Sequence, residues 1–331
     1  MKLRTLVLIS LLLIGNGAVA QEIFEKVGTA GAHFLNVSVD ASVRGMGDAL
    51  TAQKKTDAFS THYNPATLVY VPNYSASFGM VSYFADISVS GGGVAYKLPG
   101  IGTAALTYKS LNSGPMEETT VLQQDGTGNT FEWSDVAIGV SFARAFTDRF
   151  SFGMNLNYVN QSISAYDLSA SVWSVDLGTF YMTGYKSLRL GMTIRNFGPE
   201  LDFETSFTDY NNGEIIPEES EYRAFHMPLT FQVGVAMDFL EDTKNHLLTV
   251  AIDAVHPNES AERLNVGLDY SFMNTIHLRG GKWLVTPGAE PYSHLFGGVG
   301  FELASIGRFD YAVSSYDLLG TIHQFSLTIS R

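Results

Sequence analysis

The sequence contains no cysteine in 331 residues. That absence removes a disulfide framework, thiolate metal sites, cysteine nucleophiles and a lipid-modified N-terminus from consideration. Charge is also scarce, at 16% of residues, and it is acidic: 20 Lys and Arg stand against 33 Asp and Glu, a formal charge of −13. Nucleic acid is not expected as a partner, because phosphate backbones need clustered basic residues. Beyond residue 20 no run approaches about eighteen apolar residues, so no transmembrane helix is expected. Catalytic signatures are missing too. Neither H-E-x-x-H nor G-x-S-x-G occurs, and the eight histidines, His33, His62, His226, His246, His256, His277, His294 and His323, lie far apart. Gly45-Met46-Gly47 lacks the third glycine of a dinucleotide loop, since Leu50 stands there, and no βαβ pattern surrounds it. We therefore expect no enzyme activity, no cofactor and no metal.

What is present begins with a leader. Met1–Ala20 has a basic start (Lys2, Arg4), an apolar stretch over Leu6–Ile14 and a small-x-small site at Ala18-Val19-Ala20. It reads as an export signal peptide that leaves Gln21 first. Its removal takes the formal charge from −13 to −15, because two basic residues go and no acidic one does. The remainder holds 32 Gly, 22 Phe and 16 Tyr. Many glycines and aromatics with few charges suit a membrane β-barrel, with tight strand packing and interface girdles.

From about Asn73 the chain divides into short period-two segments. In "DVAIGVSFARAF", Val136, Ile138, Val140 and Phe142 share one face while Ala137, Gly139, Ser141 and Ala143 share the other. The final segment sets Phe325, Leu327 and Ile329 against Ser326, Thr328 and Ser330. Large apolar residues opposite small, weakly polar ones fit lipid outside and a narrow lumen inside. Fourteen strands are expected, starting near Asn73, Asp86, Thr103, Phe131, Phe150, Ala170, Leu188, Pro228, His246, Glu262, Ile276, His294, Arg308 and Gly320. The connections after the even strands, "PGIG", "TDR", "TGYKS", "EDTKN", "MNT" and "ASIG", are short. Several others, such as Ser113–Thr130 and Gly198–Met227, are long. Short turns alternating with long loops mark the periplasmic and outer ends of an outer-membrane barrel. The acidic loop Gly198–Met227 lacks the spacing of a calcium frame and reads as a solvated outer loop. Trp133, Trp173 and Trp283 fall near loop-side strand ends and are expected in an interface belt.

Residues 21–72 follow another logic. "DASVRGMGDALTAQ" mixes helix formers with glycines, and in "FSTHYNPATL" Pro65 bars helix at Asn64 while favouring a turn that it begins itself. Phe34, Leu35, Val43, Met46, Leu50, Phe59 and Leu68 need burial, which the barrel lumen would provide. The chain thus divides into a leader (1–20), an N-terminal hatch (21–72) and a barrel (73–331).

The segments "KVGTAGAHFLNVSVDASVRGMGDALTAQ" and "YNPATL", then "SLNSGPMEETTV" and much of the chain to about Gly198, resemble the PorV/PorQ family of FadL-like outer-membrane proteins. The resemblance implies a fourteen-stranded barrel with a lumenal hatch. Arg44, Gly45, Met46 and Gly47 match the family's hatch helix, and Asn64, Pro65 and Ala66 its hatch turn. Tyr63 stands where related chains often carry tryptophan or histidine. The implied role is a non-enzymatic accessory of type IX protein secretion, with outer-membrane lipid, a translocon or attachment complex, and secreted cargo as partners. The FadL side of the resemblance implies an alternative, a channel for hydrophobic small molecules.

Overall fold

The computed structural model describes residues 28–164, 168–203, 206–207, 210–211, 214–215, 220–221, 224–240, 245–285, 294–303, 307–316 and 320–331. The expected leader lies outside the described residues. Fourteen antiparallel strands form one closed barrel in sequence order. They are β1 (Tyr74–Ser82), β2 (Ser88–Leu98), β3 (Gly102–Asn112), β4 (Trp133–Ala145), β5 (Phe150–Ile163), β6 (Leu168–Met182) and β7 (Arg189–Phe197). The second half comprises β8 (Thr230–Phe239), β9 (His246–Pro257), β10 (Arg263–Phe272), β11 (Ile276–Val285), β12 (Leu295–Leu303), β13 (Gly307–Tyr316) and β14 (Gly320–Ser330). Each start falls within two residues of the position expected from period-two patterning.

The sheet closes where β1 pairs with β14, from Ser75 opposite Ser330 to Ser82 opposite His323. Tyr74 and Arg331 exchange both backbone hydrogen bonds at 3.0 Å, so the last residue completes the seam. Closure is what lets such a sheet sit in hydrocarbon, because every strand N–H and C=O finds a partner. Among the described residues, no helix is long and apolar enough to cross a membrane.

The two faces separate as the pattern requires. Val136, Ile138, Val140 and Phe142 point outward and are exposed, while Ala137, Ser141 and Ala143 are buried. Phe325, Leu327 and Ile329 are likewise outside, against buried Ser326 and Thr328. The tryptophans divide differently from expectation. Trp173 lies on the outer face against Tyr158, but Trp133 and Trp283 are on inward parity. Their indole N–H groups donate to Asp135 Oδ1 (2.6 Å) and to the Gly47 carbonyl (2.8 Å). A buried indole needs a hydrogen-bond partner, and only the lumen side offers one.

The turn at Met273-Asn274 has positive φ at both residues, as a tight turn between β10 and β11 demands. Loop Ser113–Thr130 contains a small hairpin, Met116–Glu117 paired with Thr130–Phe131. Loop Gly198–Met227 contains two short ladders, and Glu200 pairs with His226 at 2.9 Å. Glu214 and Glu221 belong to these ladders, and Glu204, Asp209, Glu218 and Glu219 lie outside the described residues. Strand register is unbroken at Gly153 and Gly280. The single shift in the barrel ladders lies instead between Val175 and Leu177, opposite β7.

A charge on the outer wall tests the orientation of the faces. Val140→Arg, near the middle of β4, should cost about 2–4 kcal/mol of stability in lipid, read from denaturant titration in vesicles. Leu106→Arg on the outer face of β3 should behave alike.

Candidate functional site

Ahead of β1, residues 28–73 run through the barrel from one end to the other. Gly31 N–H donates to the His226 carbonyl (2.9 Å) and His33 pairs with Glu259 (3.2 Å), both contacts at the long-loop end. Asn73 N–H then reaches the Arg331 carbonyl (2.9 Å) beside the short-turn end. Between these points Phe34, Leu35, Val43, Met46, Leu50, Phe59 and Leu68 are all buried. Burying each of the larger of these side chains contributes about 1.5–3 kcal/mol.

Local chemistry shapes two turns of this segment. The first is α1 (Ala41–Arg44), where the Asp40 carboxylate accepts from Ser42 N–H (2.9 Å) as N-cap. Gly47 follows with φ +64°, a conformation suited to glycine. The second is α2 (Ser60–Tyr63), followed by a 3₁₀ turn over Pro65–Tyr70. Asn64 is extended and its Oδ1 accepts from Ala66 N–H (3.1 Å), so Pro65 starts the turn as expected.

These turns lie on the wall without intervening side chains. A Cβ added at Gly267 would come 2.5 Å from the Met46 carbonyl oxygen, and one at Gly281 would overlap Met46 and Gly47 backbone. Gly45 sits against Gly298 in the same region of β10–β12. The Asn64-Pro65-Ala66 turn rests on Gly153 of β5 and Gly178 of β6, and Thr51 on Gly191 and Gly234. Strand glycines here serve close backbone approach. Asn64 Nδ2 ties the second turn back to the stretch between the two by donating to the Thr51 carbonyl (2.7 Å), and it also donates to the Thr179 carbonyl on the wall (3.0 Å).

Arg44 points into a cage of Trp283, Phe296 and Tyr316, with its guanidinium 4.8–5.8 Å from the ring centres. It donates to Asp48 (2.5 Å), to Ser314 Oγ (3.1 Å) and to the Tyr316 hydroxyl. Burial opposes its charge, but Asp48 and the surrounding hydroxyls hold it protonated. The Tyr63 hydroxyl meets Ser38 Oγ (2.7 Å) and accepts from Asp40 N–H (3.3 Å), contacts that need an oxygen at this position.

Sequence reading did not find the buried ion network that continues from here. Lys55 pairs with Asp40 and, at 3.0 Å, with Asp57; it also donates to Ser42 Oγ (2.8 Å). Arg308 reaches Asp57 (3.3 Å) and Asp310 (2.6 Å), Arg279 joins Asp310 (2.6 Å) to Asp269 (3.2 Å), and His277 meets Asp269 (3.1 Å). The available signal was charge at inward parity on β10, β11 and β13, which a lumen filled by protein must pair. Burial works against ionisation of Asp40, yet Lys55 and Arg308 bring its pKa down to about 2. Asp57 in the same network is pushed up by burial. Among the described residues, the rings of His246, His256, His277 and His323 have hydrogen-bond partners in Tyr270, Glu262, Asp269 and Tyr311.

The fold and its filled lumen define an outer-membrane β-barrel of the FadL-like type, occupied by its own N-terminal segment. Residues 20–256 match the family model described as "Type IX secretion system protein PorV". The chain belongs to that family. Among solved structures, it is similar to the Pseudomonas putida toluene transporter TodX, with TM-score 0.63 and 15% identity over 88% of this chain and 96% of that one. The Ralstonia pickettii toluene transporter TbuX gives 0.56 and 14% over 88% and 96%. A Pseudomonas aeruginosa FadL homologue gives 0.56 and 10% over 89% and 98%. At these identities the likeness is one of fold. Among curated proteins, none matches the chain by sequence.

Two measurements check the packing. Gly191→Leu should expel the Thr51 region, so that protease cuts residues 40–60 while the barrel stays intact; continued protection would contradict the contact. The Asp40 carboxylate, depressed from 3.8 to about 2, contributes stability fully present above about pH 4 and lost as pH falls towards 2. Asp57 is shifted the other way by burial, so its ionisation subtracts from the stability of the fold where that of Asp40 adds to it. Asp40→Asn should therefore lower the melting midpoint at pH 7 more than Asp57→Asn, and should flatten the loss between pH 4 and 2.

Proposed function

We propose that this barrel is a non-enzymatic accessory of type IX protein secretion, docking on a translocon or attachment complex and helping to deliver cargo to the cell surface. In this reading residues 1–20 are removed on export, and 21–72 act as a hatch that seals the lumen. Arg44–Gly47 and Asn64–Ala66 serve as its two anchoring turns.

The observation that carries the docking role is the tip of the loop between β3 and β4. Val121 and Leu122 are 88% and 94% exposed. The loop holding them is internally bonded: Thr120 and Gln123 exchange backbone hydrogen bonds at 3.2 Å. Glu118 accepts from Thr127 Oγ1 (2.7 Å) and Asn129 Nδ2 (3.0 Å). Two-residue tips ordinarily carry Asn, Asp or Gly. Placing Val and Leu there runs against both turn chemistry and solvation, which favours an apolar contact supplied by another molecule. Glu117, Glu118, Asp125 and Glu132 surround the tip, and no basic residue lies between 113 and 132. An anionic lipid surface would repel this loop; a protein pocket with a basic rim fits it.

The alternative, a channel for hydrophobic small molecules, draws on the fold shared with the toluene transporters. Two cavities between the N-terminal segment and the wall, among the described residues, count against it. They have volumes of about 30 and 20 Å³, too small for an aromatic hydrocarbon, and charged or amide side chains line them. Proteoliposomes carrying the barrel should take up toluene no faster than empty vesicles.

Val121→Asp with Leu122→Asp should leave the barrel's melting midpoint unchanged. It should abolish co-purification of the translocon or attachment partner and leave cargo with type IX C-terminal signals in the periplasm. Normal surface display in the double variant, or in a strain lacking the gene, would overturn the proposal.

A further inference from the structure

The smaller lumenal cavity, about 20 Å³, lies between the N-terminal segment and the wall formed by β3 to β7. Lys109 and Arg195 both line it and are both at least nine-tenths buried. Neither makes an ion pair among the described residues. Buried charges are costly unless paired, and two cations beside one small cavity compound that cost.

Asp176 is the only acid lining the cavity, and its oxygens are committed elsewhere. Oδ1 accepts from Asn196 N–H (2.7 Å), and Oδ2 accepts from Asn155 and Asn157 Nδ2 (2.8 and 2.9 Å). These bonds knit the wall at the register shift between β6 and β7. With Asp176 held by these amide donors, Lys109 and Arg195 have no counterion of their own at the cavity.

The hydrogen-bond inventory has the same sign. Lys109 Nζ donates to the Leu35 and Val37 carbonyls (2.9 and 3.0 Å), leaving its third N–H. Arg195 Nη1 donates to the His62 carbonyl (2.9 Å), while its Nε is buried and unpartnered. His62 Nε2 is also buried without a partner. Burial holds the His62 imidazole well below its ordinary pKa, so the ring is neutral and can present an Nε2–H. Thr107 adds a hydroxyl to the lining.

We infer that this cavity is a binding site for one monatomic anion of the chloride class, held by Arg195 Nε–H, the free Lys109 N–H and His62. A water molecule needs roughly 10–15 Å³ of such space, so the volume admits one small ion and excludes phosphate, sulfate or a ligand carboxylate. Excess N–H donors exclude a metal cation. The ion would tie the turn at Leu35 and helix α2 to strands β3 and β7, supplying charge balance where the N-terminal segment crosses the lumen.

Bromide is the probe. Crystals of the full chain in sodium bromide should show an anomalous peak between Lys109 Nζ and Arg195 Nε. In detergent, the melting midpoint should rise with log chloride or bromide at ionic strength held constant with gluconate, because a ligand of the folded state stabilises it by mass action. Arg195→Gln should lose both the peak and the halide slope, while Lys97→Gln, at an exposed strand end, should keep both. No anomalous peak in the wild-type crystal would overturn the site, whether or not the variant folds. A peak with a halide-independent midpoint would mean an adventitious ion only, and a slope retained in Arg195→Gln would place the ion elsewhere.

Discussion

Direct contact between the backbone of the N-terminal segment and the inner wall is the constraint on which the rest of this structure depends. At Gly153, Gly178, Gly191, Gly267 and Gly281 a side chain would occupy the space taken by residues 46–66. Removing those Cβ atoms lets the segment lie on the sheet itself, and this sets how much of the lumen is left. Among the described residues, two small polar cavities lie between the segment and the wall. A barrel packed in this way has its lumen occupied by its own chain, so the surfaces left for partners are the loops and the outer wall.

Close backbone packing has an electrostatic cost that the sequence of the segment answers. Asp40, Arg44, Lys55 and Asp57 are buried, and each is matched by a charge or ring nearby. Arg44 is enclosed by three aromatic rings, and Lys55 begins an alternating chain of charges that reaches His277 on β11. Breaking one member leaves its partner charged and unsolvated, so such networks favour one arrangement over near alternatives. Lys109 and Arg195 are buried cations with no such match among the described residues, and that is what marks their cavity.

The strand ends and the segment's apolar residues were legible beforehand for simple reasons. Period two is a local property of a strand, and lipid outside with small residues inside makes the two faces chemically distinct. Asn64-Pro65-Ala66 behaved as proline geometry requires, because a capping turn depends only on its neighbours in sequence. Trp133 and Trp283 were misplaced because an indole suits a membrane interface or a polar lumen equally well; only strand parity distinguishes them. Glycine in a strand serves either a break in register or close approach, and Gly153 proved to be the second kind.

The sequence by itself determined the barrel, its strand count, the identity of the buried apolar residues and the family resemblance. Each rests on local periodicity, turn chemistry or motif, which need no knowledge of distant neighbours. Only the tertiary structure decided which strand meets which part of the N-terminal segment, how the buried charges pair, and that Lys109 and Arg195 share one cavity. Those pairings join residues far apart in sequence, Arg44 with Ser314 or Asn64 with Thr179, and close only when the sheet is curved into a ring. The physical reason is that a lumen has no sequence of its own: its chemistry is the sum of inward positions from fourteen strands and of the segment laid across them.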